Sequence, residues 1–124
     1  MNPVMILAMT IYLEAGNQPM AGKIAVAQVV MARVADPRWP DTVEAVCLQP
    51  KQFSCWNGRD PATVEIPDDA AFYACETIAE RALAGRLSAG DFNHYYNPAL
   101  CSPPWADQLT GVLRIGDHLF GRMI

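Results

Sequence analysis

Apolar positions dominate the first stretch of the chain. Asn2-Pro3 suits an N-cap followed by proline at the first helical position. Val4 to Ala15 (VMILAMTIYLEA) then reads as a helix. It is apolar nearly all round, which marks a helix buried at the centre of a domain rather than laid on its surface. Thr10, Tyr12 and Glu14 interrupt it, and Thr10 and Glu14, four apart, share a face. Gly16-Asn17 ends it, with Gly16 placed for a left-handed cap. From Pro19 to about Ala35 apolar residues recur at three-to-four spacing (Met20, Ile24, Ala27, Met31, Val34), Val26, Val29 and Val30 widen the stripe, and Asp36-Pro37 stops it. Asp41-Thr42-Val43-Glu44 resembles a capping box for a short helix to about Leu48.

Residues 49–67 follow no period. Asp68 to Ala84 predicts another helix, with Ala71, Phe72, Cys75, Ile78, Ala79, Ala82 and Leu83 on one face and Gly85 after it. Residues 86–103 are loop-like apart from a short strand at His94 to Tyr96. Pro104 to about Leu109 suits a helical turn, and Gly111 to Phe120 alternates as a strand or hairpin does. The expectation is a mainly α (α+β) domain with a short β-hairpin or small sheet near the C-terminus.

Composition narrows the class. With 124 residues, 52% hydrophobic and 18% charged, one domain over residues 1–124 with a substantial core is expected, and disorder is excluded. A net charge of −4 and a pI near 4.9 argue against a nucleic-acid partner, which calls for a basic face. The apolar run Val4 to Leu13 is far short of the roughly 20 residues needed to span a bilayer, so no stable membrane insertion is expected. Met1-Asn2-Pro3 carries no basic n-region, which predicts synthesis in the cytoplasm without a signal peptide. Cys47, Cys55, Cys75 and Cys101 contain no CxxC pair, and His94 and His118 add no metal-ligand spacing, so neither metal nor cofactor is expected. Cys75 falls on an apolar helix face and reads as a buried thiol. Cys47 and Cys55 flank a loop and form the pair to bridge in oxidising surroundings.

The candidate chemistry starts at Glu14. Desolvation and the negative end of the helix dipole both favour the protonated acid, and a carboxyl group that keeps its proton near neutral pH is what general-acid cleavage of a glycosidic bond requires. On position alone, the blander reading is a rim acid, solvated or paired with Lys23. Two loops add context. In QPKQFSCWNG, Gln52, Phe53, Ser54, Trp56 and Asn57 interleave amide, hydroxyl and aromatic groups; in FNHYYNPALCSPPWA, His94, Tyr95, Tyr96, Asn97 and Trp105 do the same. Sugars present apolar faces and hydroxyl rims, which such surfaces suit, although each loop alone reads equally as core cover. A second glycosidase carboxylate is missing: Asp36, Asp41, Asp60, Asp68 and Asp69 fall at helix ends and turns, and Glu65 and Asp91 in loops without apolar surroundings.

Together, TIYLEAGNQPMAGKIAVAQVVMARV, PDTVEAVCLQPKQFSCWN, HYYNP…PPWA and IGDHLF resemble, in order and spacing, the SleB/CwlJ-type cell wall hydrolases, which include spore cortex-lytic enzymes and phage endolysins. The resemblance spans about Ala8 to Phe120. It implies a small lysozyme-like or lytic-transglycosylase-like domain acting as a monomer on the glycan strands of peptidoglycan. Glu14 would be the catalytic glutamate of the family's IY-x-E-A motif, and Gln52, Phe53, Ser54, Trp56, Asn57, His94, Tyr95, Tyr96 and Asn97 would line the substrate groove. It further implies that one acid serves as in a lytic transglycosylase or muramidase; a single compact domain with no signal peptide and no wall-binding repeat suits a phage endolysin released onto the wall, with a bacterial or prophage-derived hydrolase as the alternative setting. Where family members commonly continue Arg-Gly-Glu, this chain has Gly16-Asn17-Gln18. Competing readings keep the scaffold without catalysis, as a peptidoglycan-binding or virion structural module, or move the cut to the stem peptide, as in an N-acetylmuramoyl-L-alanine amidase.

Overall fold

The computed structural model describes residues 1–50 and 52–124; Lys51 lies outside the described residues. Four helices come first, α1 (Pro3–Ala15), α2 (Met20–Val34), α3 (Val43–Leu48) and α4 (Ala70–Leu83), with a 3₁₀ turn at Ser54–Trp56 between α3 and α4. The strands β1 (His94–Tyr96), β2 (Thr110–Ile115) and β3 (His118–Arg122) follow, with a second 3₁₀ turn at Ala106–Gln108. They form one antiparallel sheet in the order β1-β3-β2. Tyr95 stands opposite Phe120 in the register, their rings stacked at 5.3 Å.

α1 is the hub, packing against α2, α3, α4 and the Ser54–Trp56 turn. Leu7, Ala8, Met9, Thr10, Ile11 and Ala15 are all sealed from solvent, as an all-round apolar helix requires. Asn2 caps it by accepting from the Met5 amide at 2.9 Å. Two expectations about helix ends change. Gly16 is right-handed (φ −59°, ψ −29°), not a left-handed cap; glycine is needed there because a Cβ would collide with the Tyr12 carbonyl oxygen. The cap of α3 is Thr42, whose hydroxyl accepts from the Ala45 amide at 3.2 Å. The expected capping box thus starts one residue later, and Glu44 falls in the first turn rather than closing it.

The polar side chains of α1 reach other elements. Thr10 donates to the Ile6 carbonyl at 2.7 Å and accepts from the Trp56 indole Nε1 at 2.8 Å. Tyr12 donates to Asp69 at 2.8 Å, and Asp69 also caps α4 by accepting from the Phe72 amide. The turn Gly16-Asn17-Gln18 clasps the β2–β3 hairpin. Buried Gln18 donates to Asp117 Oδ2 at 2.9 Å and accepts from the Asp117 amide at 2.9 Å, while Lys23 donates to the Gln18 carbonyl at 2.5 Å. Gly116 completes the hairpin in the left-handed region (φ +59°) with Gln18 packed against its Cα, where a Cβ would clash. The four cysteines are free, so the pairing of Cys47 with Cys55 does not form here. Cys75 is buried as expected, and burial pushes its thiol up to about 11.

The Thr10–Trp56 bond lies wholly inside the core. Thr10→Val keeps the volume and leaves the indole N–H unpartnered, so it should lower unfolding stability by about 1–3 kcal/mol, read from urea denaturation. An unchanged midpoint and slope would show the bond to be energetically idle.

Candidate active site

Glu14 faces a cavity of about 670 Å³ between the end of α1, the Ser54–Trp56 turn and the sheet. Seven of the residues expected to bind substrate line it with Glu14: Gln52, Phe53, Ser54, His94, Tyr95, Tyr96 and Asn97. Two do not. Trp56 is turned into the core, where its indole is committed to Thr10, and Asn57 is exposed outside the cavity. Arg33, Trp105 and His118 also line it. Arg33 continues the buried stripe of α2 after Val26, Val29 and Val30, so a basic residue on an apolar stripe was the sequence signal for it. His118 alternates with Phe120 on the buried face of β3. Trp105 closes the aromatic wall, its ring 4.9 Å from His94 and 5.7 Å from Tyr96.

Glu14 is partly buried and is not paired with Lys23, which is committed to Gln18. Its partner is Tyr95, whose hydroxyl donates to Glu14 Oε1 at 2.5 Å. Burial first, and the adjacent Glu14 second, push the Tyr95 phenol well above its ordinary range, so it stays a donor at physiological pH. The Cys55 thiol is likewise pushed up by burial and by Glu14, and burial holds Cys47 up at about 12. Both are therefore protonated thiols rather than nucleophiles.

The histidines of the cavity are held neutral. Burial, with the charges of Arg33 and Arg38, brings His94 down to about 4. Burial also lowers His118, partly offset by Glu14 and Asp117. The lining therefore carries one carboxyl group, Glu14, and one fixed cation, Arg33; no second Asp or Glu is among its described residues. Among the described residues no group of three His, Cys, Asp or Glu side chains is arranged to hold a metal ion, and no helix is long and apolar enough to cross a membrane.

A buried central helix that delivers a lone glutamic acid into an aromatic and amide-lined groove, closed on one side by a three-stranded sheet, defines a small lysozyme-like, lytic-transglycosylase-like domain. The chain belongs to the cell wall hydrolase family, whose pattern it matches over residues 17–121, beginning just past Glu14. It is 31% identical over 119 residues to a spore cortex-lytic enzyme of Halalkalibacterium halodurans, a match covering 96% of this chain and 34% of that protein. To a spore cortex-lytic enzyme of Bacillus subtilis it is 26% identical over 123 residues, covering 96% of this chain and 37% of that one. The chain thus spans about a third of the length of these relatives. In three dimensions it is similar to the catalytic domain of the germination-specific lytic transglycosylase SleB from Bacillus anthracis. The TM-score is 0.77 at 26% identity, over 97% of this chain and 93% of that domain.

The electrostatics give a test on stability. His94 has a folded-state value near 4 against an ordinary 6.5. The unfolded chain therefore binds the extra proton first as pH falls, and the contribution of neutral His94 is present above about pH 6.5 and lost progressively toward pH 4. Thermal melts of wild type and His94→Gln across that window should show wild type losing ground as pH drops. A constant difference between the two would mean that His94 is not held neutral by the fold.

Proposed function

We propose that residues 1–124 act as a single peptidoglycan-degrading domain that cleaves the β-1,4 bond between N-acetylmuramic acid and N-acetylglucosamine by the lytic transglycosylase route, with Glu14 as its catalytic acid. The observation that carries this reading is the lone carboxyl group: among the described residues the lining offers no other acid, and the Tyr95 hydroxyl holds Glu14 in place through Oε1. Family membership and likeness to a lytic transglycosylase domain support the same substrate class.

In the first half of the reaction Glu14 donates its proton to the bridging oxygen, and the bond from that oxygen to the muramyl anomeric carbon breaks. The carboxylate that remains takes the proton of the muramyl 6-hydroxyl, whose oxygen closes on the anomeric carbon. The products are a 1,6-anhydromuramyl end and a free 4-hydroxyl on the leaving sugar, with Glu14 reprotonated and no water consumed. A muramidase would instead direct a water at the same carbon, which usually calls for a second carboxylate at a defined separation. Gln52, Ser54 and Asn97 supply polar contacts to the sugar rims, and Tyr96, Trp105 and His94 supply faces for the rings, with Phe53 sealed behind them at 2% exposure. The biological setting we propose is that of a phage endolysin that acts on the wall as a monomer after release.

The test is digestion of purified peptidoglycan by wild type and Glu14→Gln, with product masses read by mass spectrometry. Glutamine keeps an acceptor for Tyr95, so the fold should survive while cleavage falls by at least about 10³-fold, the scale of losing a proton donor together with its transition-state role. Wild-type fragments should end in anhydromuramyl residues, each one water lighter than a hydrolytic end. Retained cleavage by the variant removes Glu14 from the chemistry; reducing ends in place of anhydro ends make the protein a muramidase; new amino termini on the stem peptide make it an amidase; wall binding by wild type without any cleavage makes it a binding module.

A further inference from the structure

Arg33 is a buried cation without a carboxylate partner, in the wall of the groove that holds Glu14. It lies in the last turn of α2 at 6% exposure. Nε donates to the Asn93 carbonyl at 2.9 Å. Nη1 is buried with no hydrogen-bond partner, and Nη2 takes part in no hydrogen bond among the described residues. The guanidinium carbon is 5.2 Å from the Trp39 ring centroid and 5.4 Å from that of Phe53. Among the described residues the sole salt bridge joins Arg38 to Asp36 on the surface, so no carboxylate neutralises Arg33.

A staple between α2 and β1 does not account for this. The bond from Nε to Asn93 uses one of the five donors of the guanidinium, and stacking on Trp39 and Phe53 returns only part of what desolvating a full charge costs. The groups whose charge bears on Arg33 are Tyr95 and Cys47, both neutral at physiological pH, rather than Glu14. His94 beside it is neutral as well. The groove thus keeps its acid and its cation as separate centres; Arg33 lines the cavity with Nη1 sealed and unpartnered and Nη2 without a hydrogen bond among the described residues.

We propose that Arg33 is an anion subsite of the groove, which takes a carboxylate carried by the muramyl residue of the substrate. This rests on the glycan reading given above and specifies it. N-acetylglucosamine carries no carboxylate. A muramyl residue does, either on its lactyl group when no peptide is attached or on the stem peptide when one is. Engaging that group fixes which sugar lies on which side of Glu14, because only one of the two alternating residues satisfies Arg33.

Equilibrium binding in the Glu14→Gln background tests this without turnover. The probes are a peptide-free muramyl tetrasaccharide, the same tetrasaccharide with its lactyl carboxylates converted to methyl amides, chitotetraose, and a peptide-bearing tetrasaccharide with its stem carboxylates free or amidated. At least one carboxylate form should bind roughly tenfold or more tightly than its neutral counterpart, the scale of one charge-assisted hydrogen bond. Arg33→Gln should erase that difference and Arg33→Lys should keep part of it. The pair that shows the difference identifies the source, lactyl or peptide. Equal affinity within both pairs overturns the subsite and leaves the glycan groove standing, whereas absence of binding by every tetrasaccharide overturns the glycan reading and the subsite with it. If Arg33→Gln fails to fold, the comparison of charged and neutral probes on protein that retains Arg33 still decides.

Discussion

A helix sealed over most of its length needs a protein partner for a polar side chain inside the core, and α1 also partners the two that are only partly buried near its end. α1 carries three, and each is answered by a different part of the fold. Thr10 is met by Trp56 from the 3₁₀ turn, Tyr12 by the capping residue of α4, and Glu14 by Tyr95 from β1. These three bonds fix where the turn, the last helix and the sheet stand around α1. The apolar burial of α1 supplies most of the driving force, yet it is non-directional; the polar exceptions supply the direction.

The same economy shapes the groove. Glu14 projects from the last turn of the most rigidly packed helix, so its position is set by the core rather than by a mobile loop, as preorganised chemistry demands. The walls around it are neutral at physiological pH, with the phenol protonated and His94 uncharged. The carboxyl group of Glu14 and the fixed charge of Arg33 then act over short distances through a medium of low polarity, where a charge counts for more than it would in water.

The helices and their order could be read from periodicity alone, since α1, α2 and α4 each keep a stripe or an all-round apolar surface over three or more turns. What could not be read were the features decided by a single close approach. Gly16 followed the statistical rule for a left-handed cap, but its cause is the crowding of Tyr12. Trp56 lay among amides in an aromatic loop and looked like a sugar platform, whereas its indole is spent on Thr10, a partner 46 residues away. Gln18 gave no local sign of its clasp on Asp117, which joins residues 99 apart. Arg33 was legible in principle, as the one cation on the buried side of α2 near its end, but the apolar stripe around it was read for packing and not for its exception. Glu14 stood out early because a carboxylate at the end of an apolar helix contradicts the pattern that surrounds it.

The position of β3 imposes an order on synthesis. It is the central strand, yet it follows both of its neighbours in the sequence, so β1 has no edge to pair with until residues 118–122 have left the ribosome. Tyr95 is opposite Phe120, and the turn beside Glu14 is clasped through Asp117. The nascent chain can bury α1 against α2 and α4 early, because those three elements all emerge before any strand, whereas the strand pairing waits for β3. The partner of the acid is therefore seated only when translation has passed β3, and an incomplete chain carries Glu14 without the sheet that aims it.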